Sequence, residues 1–207
     1  PADKLSSQQA GHTVRARAIL GVLESLGHEI IHVEAADNSR SQAAVSTYRS
    51  VVKKLIPRPI AVRMRDMARV AYSKHHATRL TNTVRQHKPD VILETHIAYT
   101  LAGKIASEET GVPLVVDDLA PSWEEEQQYG AGAKELARST HCEVTTQASI
   151  LIAVSGAIRR LLIEEGVPEQ KIITINNGIN ADFFNLDVDG AALRSELGIA
   201  PEEAVIV

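Results

Sequence analysis

The side chains best placed to do chemistry in this sequence stand at the ends of short apolar runs. His96 follows DVILET, Asp117 and Asp118 close PLVVDD, Ser155 follows ILIAV, and Asn176, Asn177 and Gly178 follow KIITI. A histidine in such a place can donate to a hydroxyl or to a developing charge without permanent ionisation. The other reading is a ring satisfied by a nearby loop carbonyl. Carboxylates at 117 and 118 suit a hydroxyl-rich ligand, or else cap the loop before Ser122. Ser155 is expected to cap a helix from 156. Gly11, His12 and Thr13 precede another helical stretch, where free backbone N–H groups can receive a phosphate and glycine lets the backbone approach. A bare turn would need glycine equally. No GxGxxG run stands there, so the dinucleotide fingerprint is missing. His75 and His76 are adjacent and diverge on a helix, which argues against a metal pair. Cys142 is the only cysteine, which excludes an internal disulfide and a multi-cysteine metal site. No metal is expected.

The elements that must position these residues follow from periodicity. Val14, Ala18, Val22 and Leu26 recur at helical spacing, with Ile19 and Leu23 beside them, and predict a helix with one apolar stripe ending at Gly27. EIIHVEA predicts a strand through Glu34. Helices are expected over roughly 41 to 56 and 60 to 88, broken at Pro57 and Pro59. After Pro89 come DVILET as a strand, AYTLAGKIASEET as a helix closed by Gly111, and PLVVDD as a strand. Ser122 and Glu125 form a capping box that opens a helical region toward 147. ILIAV is a strand, GAIRRLLIEEG a helix and KIITI a strand. Continuous apolar strands alternating with helices require a parallel sheet covered on both faces. The fold class is therefore α/β, doubly wound, and ligands bind such a sheet outside the carboxyl ends of its strands. The chain opens in the loop before Gly11 and stops in strand-like APEEAVIV after the helix AALRSELG. It reads as a piece of a longer protein: residues 1–176 one domain without its first strand, 177–207 a linker and the start of a second domain.

Composition narrows the class. With 44% apolar and 23% charged residues the chain is globular, and at 3% aromatic its core is built from Ala, Val, Ile and Leu. No apolar run approaches the roughly 18 residues that cross a bilayer, and PADKLSSQQAGH has no signal-peptide pattern. Together with the lone cysteine this suits a reducing cytoplasm. Residues 49 to 88 hold eleven Lys or Arg against the single acid Asp66, a net +10, while the rest of the chain carries 11 basic and 25 acidic residues. Such polarity points to an anionic partner. Ile60, Met64, Met67, Val70 and Ala71 fall at helical spacing among the arginines. That suits a helix lying on an anionic membrane surface, or an amphipathic helix covering the sheet with a solvated basic face. Nucleic acid is a poorer explanation, because base-stacking aromatics are scarce.

The segment ILIAVSGAIRRLLIEEGVPEQKIITINNGINADFF resembles the stretch in which the amino-terminal domain of family 4 retaining glycosyltransferases, of the two-domain GT-B architecture, closes and hands over to its second domain. The shared positions are Val154, Ser155, Gly166, Val167, Pro168, Lys171, Ile172, Asn177, Gly178 and Phe184. The chain departs at Asn176, where proline is usual, and at Asn180, where aspartate is usual. AGHTVRARAILGVLESLGHEIIHVEA is similar to the family's opening glycine loop and first helix, and KPDVILETH to its middle strand ending in histidine. The resemblance implies sugar transfer from a nucleotide-sugar donor to a sugar or lipid-linked acceptor, with retention and without a metal or other cofactor. It implies that His96 lies in the cleft as a catalytic residue and that Asn177 and Gly178 are the interdomain linker, which Phe183 or Phe184 pins; Gly11, His12, Asp117 and Asp118 are the substrate-binding candidates by their place on the rim. The resemblance further implies that the donor is held by a pair of glutamates in the second domain. Glu135 and Glu143 share that spacing by accident, in the wrong domain. The isolated piece is then inactive. The competing readings are a non-catalytic binding module and another GT-B-like enzyme such as a nucleotide-sugar epimerase.

Overall fold

The computed structural model describes residues 11–33, 58–120, 133–179 and 189–205. The chain divides into two compact units, Pro1–Asn176 and Asn177–Val207. In the first, β1 (Ile92–Thr95), β2 (Leu114–Asp118), β3 (Ile150–Ala153) and β4 (Ile172–Thr174) form one parallel sheet in the order β1-β2-β3-β4. Helices α1 (Gly11–Ser25) and α2 (Arg58–His87) precede it, and α3 (Ala102–Thr110), α4 (Lys134–Gln147) and α5 (Gly156–Glu164) connect its strands. The architecture is Rossmann-like α/β, as the alternation of apolar strands and helices requires.

Pairing of Ile92 with Leu114, Val116 with Leu151 and Leu151 with Ile172 sets the register. Because side chains alternate across a strand, Ile92, Leu114, Val116, Leu151, Ala153 and Ile172 share one face and form the core with Ala106, Val144, Ala148 and Leu162 from the helices. Glu94, His96 and Asp118 lie on that same face by parity. Gly111 closes α3 at φ 75, a left-handed cap that glycine adopts without strain, and its N–H donates to Ser107 O at 2.8 Å. Ser155 caps α5 as its position predicts, its Oγ accepting from the Ile158 N–H at 3.3 Å.

Several expectations need correction. Residues 29–33 of EIIHVEA form no strand, since a strand exists only where its backbone pairs with a neighbour and no such pairing is made among the described residues; Glu34 and Ala35 lie outside them. Residues 200–205 of APEEAVIV likewise form no strand among the described residues. The stripe on α1 is turned: Val14 is 57% and Leu26 69% exposed, while Arg15, Ala16, Ile19, Leu20 and Leu23 are the sheltered positions. In α2 the buried side is Asp66, Ser73, Ala77, Thr81 and Val84, whereas Ile60, Met64 and Met67 are 52%, 57% and 59% exposed. Small residues let α2 pack closely against α3, a fit that methionines would prevent. Residues 175–179, which include Asn177 and Gly178, run without regular structure. The helix over 41 to 56, the Ser122–Glu125 capping box, Asn180 and the two phenylalanines lie outside the described residues.

The second unit contains α6 (Ala191–Leu197), whose first N–H donates to Asp189 Oδ1 at 2.9 Å. Arg194 Nη1 donates to the carbonyls of Ala200 and Glu203, each at 3.0 Å.

Candidate active site at the carboxyl ends of the strands

His96 continues β1 by one residue, its N–H donating to Asp117 O at 3.0 Å. The ring turns to the core face and is 7% exposed. Asp118 reaches the same face from the end of β2, and α4 brings His141 to meet both. His141 Nε2 lies 2.9 Å from Asp118 Oδ2, both side chains buried. The His96 and His141 rings meet edge to face, centroids 5.0 Å apart and planes at 66°. Burial lowers the His96 pKa from 6.5 to about 4, with the neighbouring His141 adding to the effect and Asp118 opposing it. His96 is thus neutral at physiological pH, with one donor and one acceptor nitrogen. Neither nitrogen has a hydrogen-bond partner among the described residues. The reading of a ring satisfied by a loop carbonyl therefore has no support there, and such an unsatisfied buried group costs about 1–3 kcal/mol.

Asp117 projects from the opposite face and is buried. Arg15, one turn into α1, grips it in a fork: Nε donates to Oδ2 at 2.9 Å and Nη2 to Oδ1 at 2.8 Å. The same Nη2 donates to Ile175 O at 3.1 Å, just past β4. One guanidinium thereby ties the start of α1 to the carboxyl ends of β2 and β4. Gly11 and His12 are the first described residues of that helix, not a loop before it. Neither Asp117 nor Asp118 presents an open carboxylate to solvent: one is committed to Arg15 and the other to His141.

Glu94 lies between Ile92 and His96 on the core face. Its Oε2 accepts from the Gly103 N–H at 2.6 Å and its Oε1 from Thr100 Oγ1 at 3.2 Å, so a strand carboxyl caps α3, whose own N-cap residue Leu101 offers no side-chain bond. Burial raises the Glu94 pKa, and the bonds from Gly103 and Thr100 oppose it. A Cβ on residue 103 would overlap Glu94 Oε2 and press on Leu114 Cδ1. Gly103→Ala is accordingly expected to cost about 1–3 kcal/mol, measured by urea unfolding; an unchanged midpoint would refute this fit.

The loop after His96 is held from α2. Asp66, fully buried, accepts from Arg65 Nε at 2.9 Å, Tyr99 Oη at 3.3 Å and the Ala133 N–H at 2.9 Å. Arg69 stacks on the Tyr99 ring, 5.5 Å from its centroid. Tyr99 sits at φ 70, a strained conformation for a bulky residue, and these contacts hold it there. The lone acid of the basic block is the anchor of this loop.

Strand-end logic found His96, Asp117 and Asp118 but missed His141 and Arg15. His141 occupies an apolar-stripe position, since Ala137, His141, Val144 and Ala148 are all buried at i, i+4, i+7 and i+11. That placement was the available signal. Among the described residues no cluster of three or more His, Cys, Asp or Glu could hold a metal ion, and no helix is long and apolar enough to cross a membrane.

Residues 10–183 match the Glycosyltransferase Family 4 profile. The chain belongs to that family. Two solved structures are similar to this family 4 chain. The S. aureus MnaA–UDP co-structure is 18% identical, covering 55% of this chain and 32% of that one at a TM-score of 0.41. The UDP-N-acetylglucosamine 2-epimerase from Rickettsia bellii is 17% identical, covering 64% and 33% at a TM-score of 0.43. The family 4 chain thus spans about a third of the length of either structure. No curated protein matches it.

Proposed function

We propose that this family 4 chain is the acceptor-side lobe of a retaining glycosyltransferase that moves a hexosyl group from a nucleotide-sugar to a sugar or lipid-linked acceptor in glycan or glycolipid synthesis. Family membership supports glycosyl transfer. The observation that carries the site is His96, a neutral imidazole at the end of a central strand with both nitrogens unpartnered among the described residues. It can donate to a hydroxyl or to developing charge. The ring is sheltered, so a substrate reaches it only by displacing what covers it. The α1 start at Gly11 and His12 supplies backbone N–H groups to the same rim. The chemistry proposed is positioning plus stabilisation of the departing diphosphate, which needs such donors and no metal. Asp117 and Asp118 support the site through Arg15 and His141. Asn177 and Gly178 lead to the donor-binding lobe.

The test is to assay the full-length protein against a panel of nucleotide-sugars for release of nucleoside diphosphate, with sugar and lipid acceptors supplied. Acceptor-dependent release with retained anomeric configuration is expected. No turnover with any donor would overturn the reading, and conversion of the donor to its epimer would replace it.

An anionic membrane at the cytoplasmic face is the proposed location of the reaction. Exposed Ile60, Met64 and Met67 lie on one side of α2, with Arg63, Lys74 and Arg79 also exposed. That combination suits a lipid interface. Binding to phosphatidylglycerol-containing vesicles is expected in co-sedimentation, weakened by salt, and each of Met64→Glu and Met67→Glu should reduce it about tenfold. Equal binding to pure phosphatidylcholine vesicles, or none to either, would sink this assignment.

A further inference from the structure

We infer that His141 and Asp118 are positioning residues for His96: the carboxylate engages the second histidine, and that histidine holds the first one edge to face. The inference rests on the reading of His96 as the reacting group of this lobe.

Three observations lead to it. By strand parity His96 and Asp118 share the core face at the ends of neighbouring strands, so Asp118 is the carboxylate best placed to capture His96. The structure gives its Oδ2 to His141 instead, at 2.9 Å between two buried side chains. A carboxylate accepts from a ring N–H, so under this inference a proton of His141 sits on Nε2, and that bond orients the ring. The fixed ring in turn meets His96 at 5.0 Å and 66°, which restricts rotation of the His96 imidazole. His96 therefore keeps both nitrogens for a ligand.

A purely structural Asp–His pair would give a different pattern, because it would not govern the protonation or tautomer of a neighbour. Among the described residues, the titratable groups facing His96 are Asp118 from β2 and His141 from α4. With His141 replaced by phenylalanine, the ring volume remains but the N–H is gone, and the freed Asp118 turns to His96.

The experiment is long-range nitrogen-edited NMR of the histidine rings across a pH titration, with kinetics of the full-length enzyme alongside. In His141→Phe, the proton affinity of His96 is expected to rise at least tenfold and its tautomer ratio to change, with kcat down tenfold or more and KM within threefold. His141→Gln restores an N–H donor to Asp118 and should bring both readouts back to within threefold of wild type. A His96 titration unchanged in His141→Phe overturns the inference, as does a Gln variant as damaged as the Phe variant. Should the variants not fold, the wild-type chain decides: the His141 Nε2 proton should appear as a slowly exchanging downfield resonance at neutral pH, and its absence overturns the inference. The NMR arms stand whether or not any donor is turned over, so a failure of the transfer reading is distinguishable from a failure of this one.

Discussion

His96→Phe should leave a protein that folds at least as well as wild type yet turns over about a hundredfold or more slowly in the full-length enzyme. Phenylalanine keeps the aromatic edge against His141 while removing two buried nitrogens that have no partner among the described residues. Replacing unsatisfied polar atoms by apolar ones of similar shape is neutral or stabilising, a trade characteristic of reacting groups. A pH signature accompanies it. The folded chain holds His96 with a pKa lowered from 6.5 to about 4, so between those values the unfolded chain binds the extra proton. Stability is full above pH 6.5 and falls as pH drops toward 4, by about 3 kcal/mol in all. Glu94, whose pKa burial raises, works in the opposite direction, so the readout is the difference between wild type and His96→Phe in urea unfolding from pH 7.5 to 4. Parallel curves for the two proteins would show that His96 is not held neutral by burial. A variant that loses several kcal/mol at pH 7.5 would mark His96 as a structural histidine.

Arg15→Met should be the most damaging single change in the fold. It strands the buried Asp117 carboxylate and releases the Ile175 carbonyl together. Removing one partner of a buried ion pair costs about 3–5 kcal/mol, near 10 °C in melting temperature for a chain of this size. Asp117→Asn alone should cost less, since an amide can still accept from the guanidinium. Combined with Arg15→Met it should recover more than about 1 kcal/mol of the loss, because the stranded charge is then gone. Melting temperatures of the two single variants and the double variant measure this. Simple additivity would mean that the pair contributes nothing as a pair.

The sheet was legible because its four strands are short apolar runs bounded by Pro, Gly or polar residues, and a parallel sheet buried on its core face admits little else. Strand ends then located His96, Asp117 and Asp118 without any contact information. What the sequence left open was rotation. Helix α1 is apolar on more than one side, so either Val14, Ala18 and Val22 or Ile19, Leu20 and Leu23 can face inward, and the choice is made by Arg15 pulling its own side toward Asp117. In α2 the methionines carry more apolar area than Ser73, Ala77 and Thr81, yet the smaller residues are buried because helix-to-helix distance, not hydropathy, decides that contact. His141 was passed over because one histidine among Ser, Thr and Glu carries no motif. Its partner is 23 positions away on a strand.

Strict neighbour-to-neighbour strand order has a bearing on how the chain assembles as it is made. Each strand finds its partner as soon as the next βα segment leaves the ribosome, a local route that favours rapid, stepwise growth of the sheet. The guanidinium of Arg15 has to wait 102 residues for Asp117 and 160 for the Ile175 carbonyl. Helix α1 is therefore tied down only after the strands that follow it, and the rim at the strand ends is completed only when the nascent chain has passed β4.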